Sequence, residues 1–249
     1  MSAMLETVAL ERRFGGLVAT SKVGLRLERG ARHALIGPNG AGKTTLINLL
    51  TGVLAPSSGR ILLDGADITA VRADRRVRLG LVRTFQINQL FAEFTVLETV
   101  ALAVARRRGR DGGVWRRLAG DRAVVAESVA VLDRFGLVDA MTLRVGALPY
   151  GRQRLLEIAT AIACGPRVLL LDEPAAGVPE AERNGILAGV AALPEDVTVL
   201  MIEHDMDLVF RFASRISVLV NGAILTEGTP SEIAADRRVR AVYLGSGHG

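Results

Sequence analysis

Two hydrophobic rhythms alternate along this chain. Short apolar stretches at residues 8–10, 23–27, 33–36, 60–63 and 81–84 are separated by Gly24, Gly30, Gly59, Gly65 and Pro56-Ser57-Ser58, the pattern of strands joined by turns. From about Thr95 the period becomes helical. Val96-Leu97-Glu98-Thr99-Val100 opens one helix, and residues 121–135 bring Val124, Val125, Val129, Val131 and Leu132 onto or near one face. Residues 153–164 do the same with Leu155, Leu156, Ile158, Ala159 and Ile162, as an amphipathic helix requires. Near-continuous apolar runs return at 168–171, 197–202 and 216–220, the mark of strands buried on both faces. The prediction is an α/β fold interrupted by a helical insertion over roughly residues 92–160, with no internal repeat and no low-complexity tract.

Composition narrows the setting. A chain of 249 residues with 49 % hydrophobic content can bury a full core as one large or two small domains. No stretch approaches the ~18 apolar residues of a membrane span. Met1-Ser2-Ala3-Met4-Leu5-Glu6 offers neither a basic n-region nor an apolar h-region, so secretion is not expected. The single cysteine, Cys164, excludes an internal disulfide framework and fits a reducing cytoplasm; it reads as core packing. The net charge of +5 is carried by residues 105–122, with seven arginines and two aspartates, while the remaining 24 basic and 24 acidic residues cancel. A basic balance this local does not argue for nucleic acid. The segment reads as a solvated connector, or as a contact for anionic lipid headgroups or an acidic partner, with Trp115 inside it.

The chemistry is concentrated behind the strand at 33–36. Gly37-Pro38-Asn39-Gly40-Ala41-Gly42-Lys43-Thr44-Thr45 is a phosphate-binding loop, G-x-x-x-x-G-K-[ST], in its strand–loop–helix setting. Its glycines let backbone N–H groups turn inward around phosphates. Lys43 reaches β/γ oxygens, Thr44 supplies a hydroxyl for Mg²⁺, and the positive end of the following helix faces the same anion. Lysine is scarce here, with only Lys22 and Lys43 against 29 arginines, yet the loop uses it, where a compact charge suits the position. The chain is expected to bind a nucleoside triphosphate with Mg²⁺.

Later strand ends supply partners for that loop. The run at 168–171 ends in Asp172-Glu173, and parallel sheets place ligands at the carboxyl ends of their strands. Asp172 is positioned to hold Mg²⁺, directly or through water, and Glu173 to orient and deprotonate the attacking water. His204 follows another buried run, where a neutral imidazole can bond the γ-phosphate or that water. Gln86, after the strand at 81–84, has an amide for Mg²⁺ or water. Phe14, ahead of the loop strand, reads as core or as a stacking platform for a base. His33 and His248 read as structural or exposed.

The order of these motifs resembles the nucleotide-binding subunits of ABC transporters over nearly the whole chain. It comprises an aromatic A-loop at Phe14, Walker A, a Q-loop at Gln86, a signature segment at Leu148-Pro149-Tyr150-Gly151-Arg152, Walker B and the switch histidine His204. Arg13-Phe14-Gly15-Gly16-Leu17, Ile202-Glu203-His204-Asp205-Met206 and the tail from Glu227-Gly228-Thr229-Pro230 are similar to the ATPases of importers for branched-chain amino acids. The resemblance implies a P-loop, RecA-like core with an antiparallel β subdomain (residues 1–91 and 161–249) and an inserted helical signature subdomain (residues 92–160). It implies ATP hydrolysis at the cytoplasmic face of the membrane, in a sandwich dimer whose signature, Pro149, Tyr150, Gly151 and Arg152, faces the partner's ATP. Two permease subunits, a second ATP-binding subunit and, indirectly, a periplasmic or lipid-anchored solute-binding protein are the implied partners. The alternatives are an exporter ATPase of lipopolysaccharide type, a soluble ABC ATPase acting on DNA or ribosomes, and a nucleotide-sensing scaffold. Pro149 stands where the family has serine, Arg152 where it has glutamine, and Pro179 at the usual D-loop aspartate. A heterodimer with a partner that supplies a complete signature is therefore expected, a homodimer being the other possibility.

Overall fold

The structure is a computed structural model and describes residues 3–84, 90–109 and 121–244. Gln86, Trp115 and His248 lie outside the described residues. Strands β1 (Ala3–Phe14) and β2 (Leu17–Glu28) form a long hairpin. With β4 (Ser58–Leu63) and β5 (Ala66–Asp67) they make a four-stranded antiparallel sheet in the order β2-β1-β4-β5. The β1–β2 register shifts between Thr7 and Leu10, where Ala9 takes φ 48°. Such a bulge interrupts the period-2 alternation, so the sequence reveals only residues 8–10 of a much longer strand. Gly24 and Gly59 do not mark turns: Gly24 lies inside β2 and Gly59 inside β4. At Gly59 the strand twists through φ 89°, and a Cβ would strike the backbone of Ala9 and Leu10. Gly30 and Gly65 do occupy turns.

The second sheet has six strands in the order β10-β9-β3-β8-β7-β6. These are β3 (Arg32–Ile36), β6 (Leu81–Arg83), β7 (Val168–Asp172), β8 (Thr198–Ile202), β9 (Arg215–Val220) and the edge strand β10 (Ala223–Gly228). All neighbours from β9 to β6 run parallel, and only β10 is antiparallel. Every residue of β7 and β8 is buried, because both faces are covered. Leu169, Leu171, Val199 and Met201 point into one core, and Val168, Leu170, Leu200 and Ile202 into the other, the two-residue alternation of a strand.

Helices fill both sides. Helix α1 (Lys43–Thr51) packs into the core beneath the antiparallel sheet. A short α2 (Ala73–Arg78) delivers Arg76, 1 % exposed, to the far end of α1. Its guanidinium donates to the carbonyls of Leu49 and Leu50 at 2.7 Å, of Thr69 at 2.9 Å and of Val71 at 2.8 Å. This satisfies carbonyls a helix end leaves without partners and puts positive charge at its negative pole. Helices α3 (Val96–Arg107), α4 (Arg122–Arg134) and α5 (Tyr150–Ala163) pack together on the other side through Val100, Val104, Val124, Leu132 and Leu156. Thr95 and Glu98 close a reciprocal capping box on α3, and Asp121 caps α4. Helices α6 (Glu180–Ala191), α7 (Met206–Phe212), α8 (Pro230–Ala235) and α9 (Arg237–Leu244) complete the chain. Of the basic connector, Arg107 and Arg108 pair with Glu127; residues 110–120 are outside the described residues.

Candidate active site

Four adjacent parallel strands, β3, β8, β7 and β6, end at the same edge, and each end carries polar groups. The loop after β3 is the phosphate-binding segment. Gly42 precedes α1 at φ 101°, and a Cβ there would collide with the Ala19 carbonyl. Ala41 O accepts from Gly222 N–H at 2.9 Å, and Gly222 O accepts from Ser21 N–H at 2.8 Å. The loop is thus braced by both sheets. No side chain caps the N-terminus of α1 and no acidic residue sits in its first turn, so its inward N–H groups are left for an outside anion. Lys43 Nζ folds over the loop, donating to Gly37 O at 2.6 Å and Pro38 O at 2.9 Å. Burial pushes the Lys43 ammonium below its ordinary pKa, while Glu173 and Asp172 pull it back up. That coupling brings the loop lysine and the β7 carboxylates into one electrostatic site.

Asp172 ends β7, is 4 % exposed, and pairs with Arg83 from the end of β6 at 2.5 Å. Arg83 also donates to Asn48 Oδ1 of α1 at 2.8 Å. The next residue, Glu173, has φ 48° and donates its N–H to Ile202 O at 2.9 Å. A non-glycine residue in this left-handed region is strained, and here the strain turns the chain sharply out of the strand. His204 follows β8 with its side chain 69 % exposed, and its Nδ1 lies 3.5 Å from Glu203 Oε2. Glu203 itself is 1 % exposed. One of its oxygens accepts from Ala175 N–H at 3.0 Å, the other from His204 N–H at 2.8 Å and Asp205 N–H at 3.2 Å. A single buried carboxylate therefore ties the turn after Walker B to the histidine loop.

Phe14 closes the β1–β2 hairpin, 43 % exposed, opposite Leu17. On the paired strand β2 the Ala19 carbonyl lies against Gly42, so the hairpin touches the phosphate loop five residues beyond Phe14. Arg12 covers one ring face, its guanidinium 4.6 Å from the centroid. The Mg²⁺ reading is consistent with the donors present: Thr44 and Asp172 offer the hard oxygens this cation takes. Among the described residues no cluster of three or more His, Cys, Asp or Glu is arranged to hold a metal. Gln86, expected beside it, lies outside the described residues.

The signature segment sits elsewhere, at the start of α5. Pro149 is the N-cap residue and supplies no side-chain cap. Gly151 N–H is instead taken by Glu182 Oε2 of α6 at 2.7 Å, and a Cβ on Gly151 would run into that carboxylate. Tyr150 O–H reaches Ala176 O at 3.4 Å, and Arg154 lies over the Tyr150 ring. Arg152 is engaged by the Asp139 carboxylate and donates to Gly136 O at 3.0 Å. Arg76, Arg83, Glu182 and Glu203 escaped the sequence reading. Only Glu203 carried a signal: like Asp172, it is a carboxylate at the end of an apolar run.

Comparison with known proteins agrees with this geometry. A family model described as ABC transporter matches residues 20–176, and one described as branched-chain amino acid ATP-binding cassette transporter matches residues 223–249. The high-affinity branched-chain amino acid transport ATP-binding protein BraF of Pseudomonas aeruginosa is 40 % identical, with 97 % of this chain and 98 % of the relative covered. LivG of Escherichia coli, of the same description, is 39 % identical over 97 % of this chain and 98 % of its own. A crystal structure of a nucleotide-free ATP-binding cassette from an ABC transporter superposes with a TM-score of 0.82 at 30 % identity, covering 98 % of this chain and 99 % of that one. The ADP conformation of MJ1267, an ATP-binding cassette of an ABC transporter, gives 0.83 at 29 % identity, covering 98 % and 100 %. The chain belongs to the ABC transporter family, as an ATP-binding cassette of the kind found in branched-chain amino acid transport.

Proposed function

We propose that this chain binds and hydrolyses ATP with Mg²⁺ to power an importer for branched-chain or related amino acids. The observation that carries the reading is the electrostatic convergence of Lys43 with Glu173 and Asp172 on a loop shaped for phosphate. Gly37, Pro38, Asn39, Gly40, Ala41, Gly42, Lys43, Thr44 and Thr45 cradle the triphosphate, and Phe14 stacks on the base. Thr44 and Asp172, with Gln86, hold Mg²⁺, which neutralises charge on the β- and γ-phosphates when bound. Glu173 takes the proton of the attacking water, whose position is fixed by His204 and Gln86. Pro149, Tyr150, Gly151 and Arg152 face the nucleotide of a second ATP-binding subunit, and in a heterodimer that subunit supplies a complete signature to the Walker motifs of this chain.

Among the described residues no helix is long and apolar enough to cross a membrane, so the membrane path belongs to separate permeases, two in number, with the cassette at their cytoplasmic face. A groove of about 530 Å³ between α2, β6, α5 and residues 90–91 is lined by Val53, Val77, Leu90, Phe91 and Thr160. Val53 is 63 % and Phe91 60 % exposed, an apolar surface suited to a cytoplasmic helix of a permease. A solute-binding protein, periplasmic or lipid-anchored, delivers substrate from outside. The relatives are named for branched-chain amino acid transport, which favours an amino-acid transporter over the lipopolysaccharide-type and non-transport alternatives. The test is reconstitution with the permeases and solute-binding protein from neighbouring genes. ATP-dependent uptake of labelled leucine is expected, lost in Glu173→Gln; ATPase activity with no amino-acid uptake sends the reading to another solute.

A further inference from the structure

We infer that Arg83 is the resident counter-ion of Asp172, a positioning residue that holds this carboxylate and yields it when a divalent cation arrives. The inference rests on the reading above that Asp172 serves the metal. The carboxylate is almost fully enclosed, with 5 % of its side chain exposed and 14 % of that of Arg83. A carboxylate removed from water is strongly destabilising unless a positive group compensates it. Lys43, the other cation of the site, spends its ammonium on the carbonyls of Gly37 and Pro38. Arg83 supplies the charge: one arm of its planar fork meets Asp172 at 2.5 Å and the other Asn48 on the phosphate-loop helix at 2.8 Å.

This arrangement cannot persist unchanged beside a divalent cation. A guanidinium and a doubly charged ion on one carboxylate repel across a few ångströms in a poorly screened site. The guanidinium is also incompletely satisfied where it stands, since its Nε is buried without a hydrogen-bond partner among the described residues. Such an atom in a native site calls for an explanation, and a side chain that holds one arrangement and leaves it for another supplies one. Arg83 also lines the apolar groove with Thr84 and Phe91. The same side chain thus touches the metal carboxylate, the phosphate-loop helix and the surface proposed for the permease. An inert core ion pair would have the first two contacts without competing for the metal.

The experiment titrates Mn²⁺, as a paramagnetic stand-in for Mg²⁺, into the full-length chain saturated with a non-hydrolysable ATP analogue, reading free metal by electron paramagnetic resonance. Arg83→Met should tighten Mn²⁺ binding at least about tenfold by removing a like charge from a buried site. Arg83→Lys, which lacks the fork needed to reach Asp172 and Asn48 together, should lie between Arg83→Met and wild type. Asp172→Asn should weaken it. If Arg83→Met does not fold, as judged by its thermal melt, Arg83→Lys alone decides. Unchanged or weaker Mn²⁺ binding in the Arg83 variants, with Asp172→Asn weakened, overturns the competition and leaves a static strut. Asp172→Asn with wild-type affinity would instead remove Asp172 from the metal site, and the inference with it.

Discussion

Two helix N-termini carry the nucleotide chemistry in the function proposed for this fold, and they are finished in opposite ways. Helix α1 begins at Gly42 with no capping side chain and no acidic residue in its first turn. Helix α5 begins at Pro149, equally without a side-chain cap of its own, yet its Gly151 N–H already holds the Glu182 carboxylate at 2.7 Å. The first waits for an anion from outside; the second is occupied by one from within. Around α1 the loop is locked by both sheets, and Lys43, Asp172 and Glu173 share one field. Around α5, Arg152, the charge that could face a phosphate, is spent on Asp139. The difference teaches that, under the proposed assignment, the Walker side is built to receive nucleotide as it stands, whereas the signature side would have to release Glu182 and Asp139 to serve a partner's nucleotide.

The hardest test of the Walker side is Glu173→Gln. If Glu173 is the base, turnover of the assembled ATPase should fall by roughly 10²–10⁴, with ATP affinity by calorimetry close to wild type. Lys43→Ala should do the reverse in kind and weaken binding itself, since it removes a charge-assisted phosphate contact. Near-normal turnover in the first, or unchanged affinity in the second, would erase the distinction between the two ends.

A second test concerns the platform under the loop. His33 of β3 is 1 % exposed, its Nε2 lies 2.8 Å from Ser217 Oγ, and that hydroxyl donates to Glu227 at 2.7 Å. Burial, with help from the nearby Arg215, lowers its pKa from 6.5 to about 4, against an opposing pull from Glu227. The unfolded chain therefore takes up this proton at a higher pH than the folded one does. Stability should be intact above about pH 6.5 and decline as pH falls toward 4, by roughly 3 kcal/mol for this group alone. Urea unfolding of wild type and His33→Gln across that window checks it. Equal pH slopes in the two proteins would show that His33 is not the group being titrated.

The gentlest test sharpens the signature side. Pro149→Ser restores a hydroxyl that can cap α5 or meet a phosphate. One hydrogen bond to a charged group is worth about 1.5–3 kcal/mol, so the isolated chain should gain roughly tenfold in ATP turnover, and the complete transporter less. No gain in steady-state phosphate release would mean that the proline signature is fully competent as it stands.

The sequence disclosed the elements whose residues are buried on both faces or obey a helical period, because burial leaves little choice of side chain. Strands β7 and β8 and helices α3 and α4 are of that kind. It disclosed less of the β1–β2 hairpin, where the shift around Ala9 breaks the alternation and Gly24 mimics a turn. The phosphate loop and Asp172-Glu173 were legible because backbone approach and metal chemistry admit few residue types. Glu203 showed only as a carboxylate at the end of an apolar run, and Arg83 and Glu182 not at all, since their roles arise from contacts between strand and helix ends far apart in sequence. Arg83 reaches Asn48 and Asp172, and Glu182 reaches Gly151; no local pattern encodes such pairings.

Arg76 carries a consequence for anyone sorting variants of this chain. In sequence it is one of a run with Arg72, Arg75 and Arg78, all three exposed, and a surface arginine is ordinarily exchangeable. In the fold it is the floor of the phosphate-loop helix, about 13 Å of rigid rod away from the nucleotide end. A neutral substitution there removes four hydrogen bonds to carbonyls and the charge that balances the rod's lower pole. The symptom would surface at the opposite end, as a loosened grip on phosphate in a protein whose Walker residues are all intact.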